Sequence, residues 1–286
     1  MRHLSHYEEE QLKLIDAWKR EEPGVVSQSF GLVSQPLAWL VKKVVPEAAI
    51  RGVLDGANSM AQWMTDVSDV LRDANVHSIK DLRTKDLELS DRLADEVHNW
   101  AIGLATVEGA AAGVFGLPGM AVDIPALITL ALRTIHKIGV CYGYESESDN
   151  DVKYVLGIFA AAGANTVEEK LAALTTLRTV EVILIKSTWK KISEEAAKQQ
   201  LSREAAIFGA KNVAKQLGVN ITKRKALASI PFIGAAIGGS VNGWYVKEIG
   251  WAARRCFQER WLMENQKVVD ANLAREDALA QPILID

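Results

Sequence analysis

The chain has 286 residues, of which 49% are hydrophobic and 24% charged, and this balance excludes intrinsic disorder. Its 33 basic and 36 acidic residues leave a net charge of −3, which excludes the strong positive field of most nucleic-acid-binding proteins. The two cysteines, Cys141 and Cys256, are too few for a disulfide framework or a thiolate metal site. This low number of cysteines fits a reducing, cytoplasmic compartment best.

The first predicted helix covers residues 7–20, where Leu12, Ile15 and Trp18 recur at helical spacing among charged residues. The acidic run at residues 8–10, at the start of this helix, leaves no apolar segment for an export signal. Further helices are predicted at residues 33–45 and 49–74, and a short helical turn at residues 78–82.

The next helix begins amphipathically over residues 91–107 and runs into a stretch rich in glycine and alanine, residues 103–144. Within it, residues 117–119 (Leu-Pro-Gly) predict a corner between two helices. Asp123 is positioned to cap the second of these helices, with Pro125 in its first turn.

Two capping boxes mark the helices that follow. Ser148 and Asp151 open a helix over residues 152–162, and Thr166 and Glu169 open a longer one running toward Trp189. Helices at residues 202–217 and from about residue 230 to residue 261 complete the pattern, before a polar tail at residues 266–286. No run alternates as strands do, so we predict one all-α multi-helix bundle over residues 1–265.

Glycines recur four residues apart in two of the helical stretches, which on a helix creates a smooth face that admits another backbone. The packing faces predicted in this way contain Gly109, Gly113, Gly116, Gly234 and Gly238. The second stretch lies in an uncharged segment, residues 226–246, long enough to raise the question of a membrane span. Because a proline, several glycines, Ser240 and Asn242 interrupt this segment, a buried core helix is the preferred interpretation.

A few polar residues interrupt these apolar stretches: Glu108, Asp123, Arg133 and Asn242. Buried charges are costly unless paired, so these side chains are expected to meet one another or to face a polar cavity. The structural interpretation is an ion pair or cap that fixes how the glycine-rich elements cross. The functional interpretation is the polar end of an apolar ligand pocket.

The usual catalytic and metal-binding motifs are missing from the chain. It has no phosphate-binding glycine loop, and the stretch at residues 238–242 lacks the last glycine of a nucleophile elbow. Asp95 and His98 are three residues apart on a helix, but a di-metal bundle requires two such pairs. We therefore predict no metal, no cofactor and no catalytic residue.

The two glycine-rich stretches resemble the EcsC family. The resemblance is carried by residues 108–113, by residues 123–133 leading to Cys141-Tyr142-Gly143-Tyr144, and by residues 230–242. It extends from about the first helix to Trp261. The family is named for a gene beside an ABC transporter, so the resemblance implies a bacterial protein linked to membrane processes, without an established reaction.

The leading functional hypothesis is a non-enzymatic helical protein that binds a membrane surface, a lipid-like ligand or a membrane protein such as an ABC transporter. It rests on the uncharged, small-residue helices, which exceed what surface helices need. Such a protein would be cytoplasmic or peripheral at the inner face of the cell membrane. One rival is a hydrolase that uses Glu108 and Asp123 as its carboxylates, near Arg133. Another is a structural scaffold or oligomer that associates through the glycine faces.

Overall fold

The computed structural model describes residues 3–22, 66–113, 116–164, 166–193 and 234–268, and the side chains at 108–125, 189–193 and 234–241 are outside this description. Within these ranges every regular element is helical, as the all-α prediction requires. The helices are α1 (His6–Arg20), α2 (Ser68–Ala74), a 3₁₀ helix (Ile79–Thr84), α3 (Leu87–Gly113), α4 (Gly116–Cys141), α5 (Asp149–Ala162), α6 (Val167–Ser193) and α7 (Gly234–Glu264). The helices predicted at residues 33–45 and 202–217 lie outside the described residues.

Local capping explains where several helices begin. Ser5 and Glu8, Ser78 and Asp81, and Ser148 and Asp151 each form a reciprocal capping box, and the last of these was predicted. At the start of α6, the amide of Glu169 donates to Thr166 Oγ1 at 3.2 Å. Each bond satisfies an amide that has no acceptor inside its own helix.

The start of α4 corrects one prediction. The helix begins at Gly116, so Leu117, Pro118 and Gly119 form its first turn instead of a corner. Proline is accommodated there because the first amides of a helix have no intrahelical acceptor. Asp123 and Pro125 consequently lie inside the helix, and the prediction that Asp123 caps it was wrong.

The centre of the bundle is the antiparallel pair of α3 and α7. As residue numbers rise along α7 they fall along α3: Gly243 lies against Thr106, Gly250 against His98, and Gln258 against Asp91. Helix α4 returns antiparallel to α3 and packs on both members of the pair, with the Phe257 ring against Gly139 and stacked on Tyr142. The core lies among these three helices.

The remaining helices cover this centre. Helices α5 and α6 form an antiparallel hairpin that is closest where Leu177 meets Gly157. Helix α1 lies along α7 and buries Ile15, as its spacing predicted. At the end of α4, Gly143 has a φ of +90°, a conformation that favours glycine, and its carbonyl accepts a bond from Arg83 Nε at 2.7 Å.

The glycines at the described helix contacts differ from those predicted. Close approach occurs at Gly243 and Gly250 in α7, at Gly139 in α4 and at Gly157 in α5, each of which faces a side chain of a neighbouring helix. The predicted packing glycines at 109, 113, 116, 234 and 238 lie in helical backbone, but their surroundings are outside the described part of the chain. Their role as packing faces stays a prediction.

Replacing Gly250 with alanine is expected to destabilise the protein by about 1–3 kcal/mol, because the new Cβ would overlap the buried His98 ring. Gly103→Ala in α3 is the matched control, because nothing lies within 4 Å of its added Cβ. Alanine is the better helix former, so this variant should equal or exceed the wild type in stability by up to about 1 kcal/mol. Urea unfolding measures both. Equal free energies of unfolding for the two variants would contradict the close approach of α3 and α7.

Candidate functional site

The four polar residues predicted to cluster are distributed over three helices. Arg133 in α4 lies over the ring of Trp100, with its Cζ 5.7 Å from the ring centroid. Asn242 in α7 is buried at 2% exposure. Glu108 and Asp123 lie in α3 and α4, but their side chains are outside the described residues, so their pairing stays a prediction.

Trp100 and Arg133 line a groove of about 410 Å³ between α2, α3 and α4. Four carboxylates lie around the groove: Asp66, Asp69, Asp73 and Glu96. The ammonium of Lys137 bonds to the Asp69 carboxylate and to the backbone carbonyl of Asp66. Among the described residues of the lining, these four carboxylates outnumber the cations Arg133 and Lys137 by two. The described lining is therefore net acidic.

Two large apolar side chains on one face of α3 are exposed to solvent. Trp100 is 56% exposed and Val107 is 69% exposed, and Gly103 between them faces open space. Residues at spacings of three and four share one face of a helix. An exposed apolar patch of this kind is typical of an interaction surface. The exposure of Trp100 favours an interfacial role for this side chain over a core role.

The apolar face leads to an uncharged end of the bundle. Because α3 runs antiparallel to α4 and to α7, the end of α3 lies with the beginnings of α4 and α7. The described helix residues 109–113, 116–122 and 234–246 at this end carry no charge, and Glu108 and Asp123 border them in α3 and α4. Among the described residues, no helix has both the length and the apolarity needed to cross a membrane.

Away from that end, a buried carboxylate joins four helices. Asp91 of α3 is 2% exposed and accepts hydrogen bonds from Tyr7 in α1 at 2.6 Å, from Tyr142 after α4, and from Gln258 Nε2 in α7 at 2.7 Å. Burial and the neighbouring carboxylate raise the pKa of both tyrosines, so both hydroxyls stay protonated and donate. Three donors on one carboxylate make this a structural junction.

Asp91 is not among the predicted site residues, although its position in α3 gave a signal. Asp91 lies in phase with Leu87, Ala94 and Ala101, so the pattern of α3 places a carboxylate on its own buried stripe. Glu181 gives the same signal in α6, between Leu177 and Leu184. A charged residue in phase with a buried apolar stripe predicts a polar partner from another helix.

Glu181 belongs to a second buried cluster, formed by α1, α5, α6 and α7. Arg178 donates to Glu181 Oε2 at 2.5 Å and to Glu259 Oε1 at 3.2 Å, and Lys19 contacts Glu259 at 2.5 Å. Burial, reinforced by the Glu259 charge, raises the pKa of Glu181 to about 7. A carboxyl that titrates near neutrality can exchange a proton under physiological conditions.

His98 is occupied by structural contacts. Its Nε2 lies 2.9 Å from the carbonyl of Lys247, and its ring packs edge-on against Trp251. Asp95 pairs with Arg254 of α7.

The described residues contain no group of histidine, cysteine, aspartate and glutamate side chains that could hold a metal ion. Cys141 and Cys256 are buried thiols, and burial raises the pKa of Cys141 to about 12.

Comparison with known proteins gives two matches. A model of the EcsC protein family matches residues 9–262 of the chain. A curated relative from Bacillus subtilis (strain 168), described as "Uncharacterized protein YdbA", is 22% identical over 278 residues, which cover 92% of this chain and 96% of the relative. No solved structure matches the chain.

Asp91→Asn is expected to destabilise the protein by about 2–4 kcal/mol, because an amide cannot accept all three donated bonds at this buried position. Asp73→Asn, on the surface of α2, is the matched control. The Asp73 side chain is 40% exposed and that of its partner Arg72 is 75% exposed, so loss of this pair should change stability by less than about 1 kcal/mol. Thermal and urea unfolding of both variants test the comparison. Equal losses would show that Asp91 is not the junction.

Three of the described buried groups contribute to the acid dependence of stability. Burial lowers the pKa of His98 and of His136 to about 4 from 6.5, so the unfolded chain binds more protons there and stability is lost as the pH falls from 6.5 toward 4. Glu181 acts in the opposite sense. Its pKa is about 7 in the folded state against 4.5 unfolded, so stability rises as the pH falls through that window.

Between pH 6 and pH 5, the combined contribution of His98, His136 and Glu181 to the free energy of unfolding falls by roughly 1.4 kcal/mol per pH unit, the equivalent of one proton. Glu181→Gln removes the opposing group and should make the loss steeper, up to about twice that slope. Urea unfolding across this range measures both slopes. A shallower slope in Glu181→Gln would contradict the assignment.

Proposed function

Because the chain belongs to the EcsC family, whose match spans most of its length, we propose that it is a non-enzymatic protein that associates peripherally with a membrane surface. Its exposed apolar face lies beside helix ends that carry few charges. The observation that carries the proposal is the exposure of Trp100 and Val107 on one face of α3. The contact surface is this face together with the helix ends that meet beyond it.

The dimensions fit an interfacial contact. Val107 lies seven residues beyond Trp100, which is about 10 Å along a helix. Interfacial segments bury their apolar face to a depth of roughly 5–10 Å. With this end inserted to the level of Val107, Trp100 and Arg133 lie among the head groups. Glu108 and Asp123 enter with the inserted helix ends and must be paired or neutral there. Tryptophan is enriched at that level, and arginine bonds to phosphate there.

The charge distribution defines the kind of association. The groove beside Trp100 has an excess of negative charge, and the whole chain carries a net charge of −3, so anionic lipid adds little attraction. Apolar burial supplies the free energy of binding instead. Binding is therefore expected to be similar on zwitterionic and anionic vesicles and insensitive to salt.

Flotation of the full chain with phosphatidylcholine vesicles, with and without phosphatidylglycerol, tests the proposal. The wild type should float with both. Trp100→Ser and Val107→Ser should each reduce partitioning about tenfold, because each removes roughly 1–2 kcal/mol of apolar burial. Leu14→Ser is the matched control, since Leu14 is 46% exposed on α1, outside the proposed surface. Circular dichroism should show the same helicity in all variants.

Three outcomes would overturn the proposal. The first is absence of flotation in either lipid mixture. The second is flotation that requires phosphatidylglycerol and disappears at high salt. The third is equal loss in Leu14→Ser. If the wild type does not float but light scattering shows an oligomer that Trp100→Ser dissociates, the face is a protein interface instead.

A further inference from the structure

A second surface, separate from the α3 face, is an open cleft of about 580 Å³ between the end of α1 and the outer side of α6. Ligand sites in proteins commonly enclose roughly 300–1,000 Å³. The cleft is lined by helices on three sides: Trp18 and Lys19 come from α1, Tyr154 from α5, and Cys256 and Glu259 from α7. Its long wall is α6.

The α6 wall is apolar, and its end near Val167 is exposed. Val167, Leu171, Leu174 and Leu177 follow one another at spacings of four and three, so they form one stripe, in which Leu174 is half-buried and Leu177 is buried. Leu171 is 54% exposed and Val167 is 39% exposed, although both lie on a helix whose other face is buried. Trp18 faces this stripe from α1. An extended hydrocarbon chain would cover these side chains.

The floor of the cleft is charged. It contains Lys19, Arg178, Glu181 and Glu259, joined by ion pairs of 2.5–3.2 Å. At the rim, the ammonium of Lys170 bonds to the carbonyls of Trp18 and Glu21 at 2.5 and 2.8 Å, which ties the end of α1 to α6. The cleft therefore has an apolar wall and a polar floor, as a site for an amphiphile requires.

The charges lining the cleft favour a negative head group. Among the described residues that line the cleft, four are basic and three acidic, which leaves one excess positive charge when all are ionised; they are Lys19, Arg20, Lys170 and Arg178 against Glu21, Glu181 and Glu259. When Glu181 is protonated the excess of positive charge becomes two. An anion at the floor then shares Arg178 and Lys19 with Glu259, which pairs with both.

We propose that this cleft binds a single-chain amphiphile with a carboxylate head group, and that Glu181 takes up a proton when the ligand binds. The head lies at Lys19 and Arg178, and the chain lies along Leu171 and Leu174. A second negative charge beside Glu181 favours its neutral form, so the proton enters from solvent.

The groups that face Glu181 support this coupling. Arg178 contacts it from the same helix, Glu259 and the Cys256 thiol approach from α7, and Lys19 lies on α1. Tyr154 of α5 places its hydroxyl 3.4 Å from Glu181 Oε1 and donates to the carbonyl of Cys256 at 2.9 Å. Because burial already holds the pKa of Glu181 at about 7, a neighbouring anion shifts its titration within the neutral range.

Calorimetric titration of the full chain at neutral pH, with dodecanoate below its micelle concentration, tests the proposal. Saturable binding to one site per chain is expected, with weaker binding of dodecyltrimethylammonium and none of acetate. Repeating the titration in buffers of different ionisation enthalpy measures the protons taken up. The wild type should take up a fraction of a proton per dodecanoate bound.

Variants locate the site. Leu171→Asp places a charge on the apolar wall at an exposed position and should weaken dodecanoate binding about tenfold or more. Leu14→Asp, at an exposed position outside the cleft, should bind as the wild type does. Glu181→Gln should retain binding but lose the proton uptake. Trp100→Ser should leave dodecanoate binding unchanged, which separates this site from the membrane face.

Several results would overturn the inference: absence of saturable dodecanoate binding, equal binding of the cationic amphiphile, wild-type affinity in Leu171→Asp with unchanged helicity, or proton uptake that persists in Glu181→Gln. None of them bears on vesicle flotation, so the two proposals succeed or fail separately.

Discussion

The close antiparallel contact of α3 and α7 is the constraint on which the rest of the structure depends. Gly243 and Gly250 remove the side chains that would otherwise separate the two helices, so Thr106 and His98 lie against the backbone of α7. This contact determines the register of the pair. The register brings Gln258 to Asp91 and Arg254 to Asp95, and it places the uncharged ends of α3 and α7 together.

The same register makes the bundle chemically asymmetric along its length. Buried ion pairs and hydrogen bonds gather around Asp91, Glu181 and Arg260, away from the end where α3 stops. These contacts hold α1 and the hairpin of α5 and α6 onto α7. At the opposite end, the described helix residues 109–113, 116–122 and 234–246 carry no charge. Buried charges must be paired, and the pairs at the first end meet that requirement.

The described carboxylates also bear on the hydrolase hypothesis, which names Glu108 and Asp123. Asp91 accepts three hydrogen bonds, and Glu181 is paired with Arg178, so both have structural partners. Glu181 nevertheless lies at the floor of an open cleft, and its raised pKa suits proton exchange coupled to binding. Ligand binding explains the apolar wall above Glu181, which acid–base catalysis does not require.

Local patterns in the chain predicted the features that depend on neighbouring residues. They identified the helical class, the family and the buried side of α1. They also identified the capping box at Ser148 and Asp151, because a helix start depends on bonds within about four residues. The wrong start that was predicted for α4 also came from a local pattern. Leu117-Pro118-Gly119 suits both a corner and a first helical turn, and sequence spacing does not distinguish them.

Tertiary structure decided everything that depends on a partner from another helix. Glycine spacing predicted smooth faces, but only the register of α3 and α7 selects Gly243 and Gly250 as positions of close approach. Asp91 and Glu181 were visible as charges on apolar stripes, yet the donors to Asp91 come from residues far along the chain. Glu181 has a local donor in Arg178, but its contact with Tyr154 depends on another helix. The exposure of Trp100 was equally invisible, because burial depends on which helices cover a face, and a sequence records only the spacing of residues along that face.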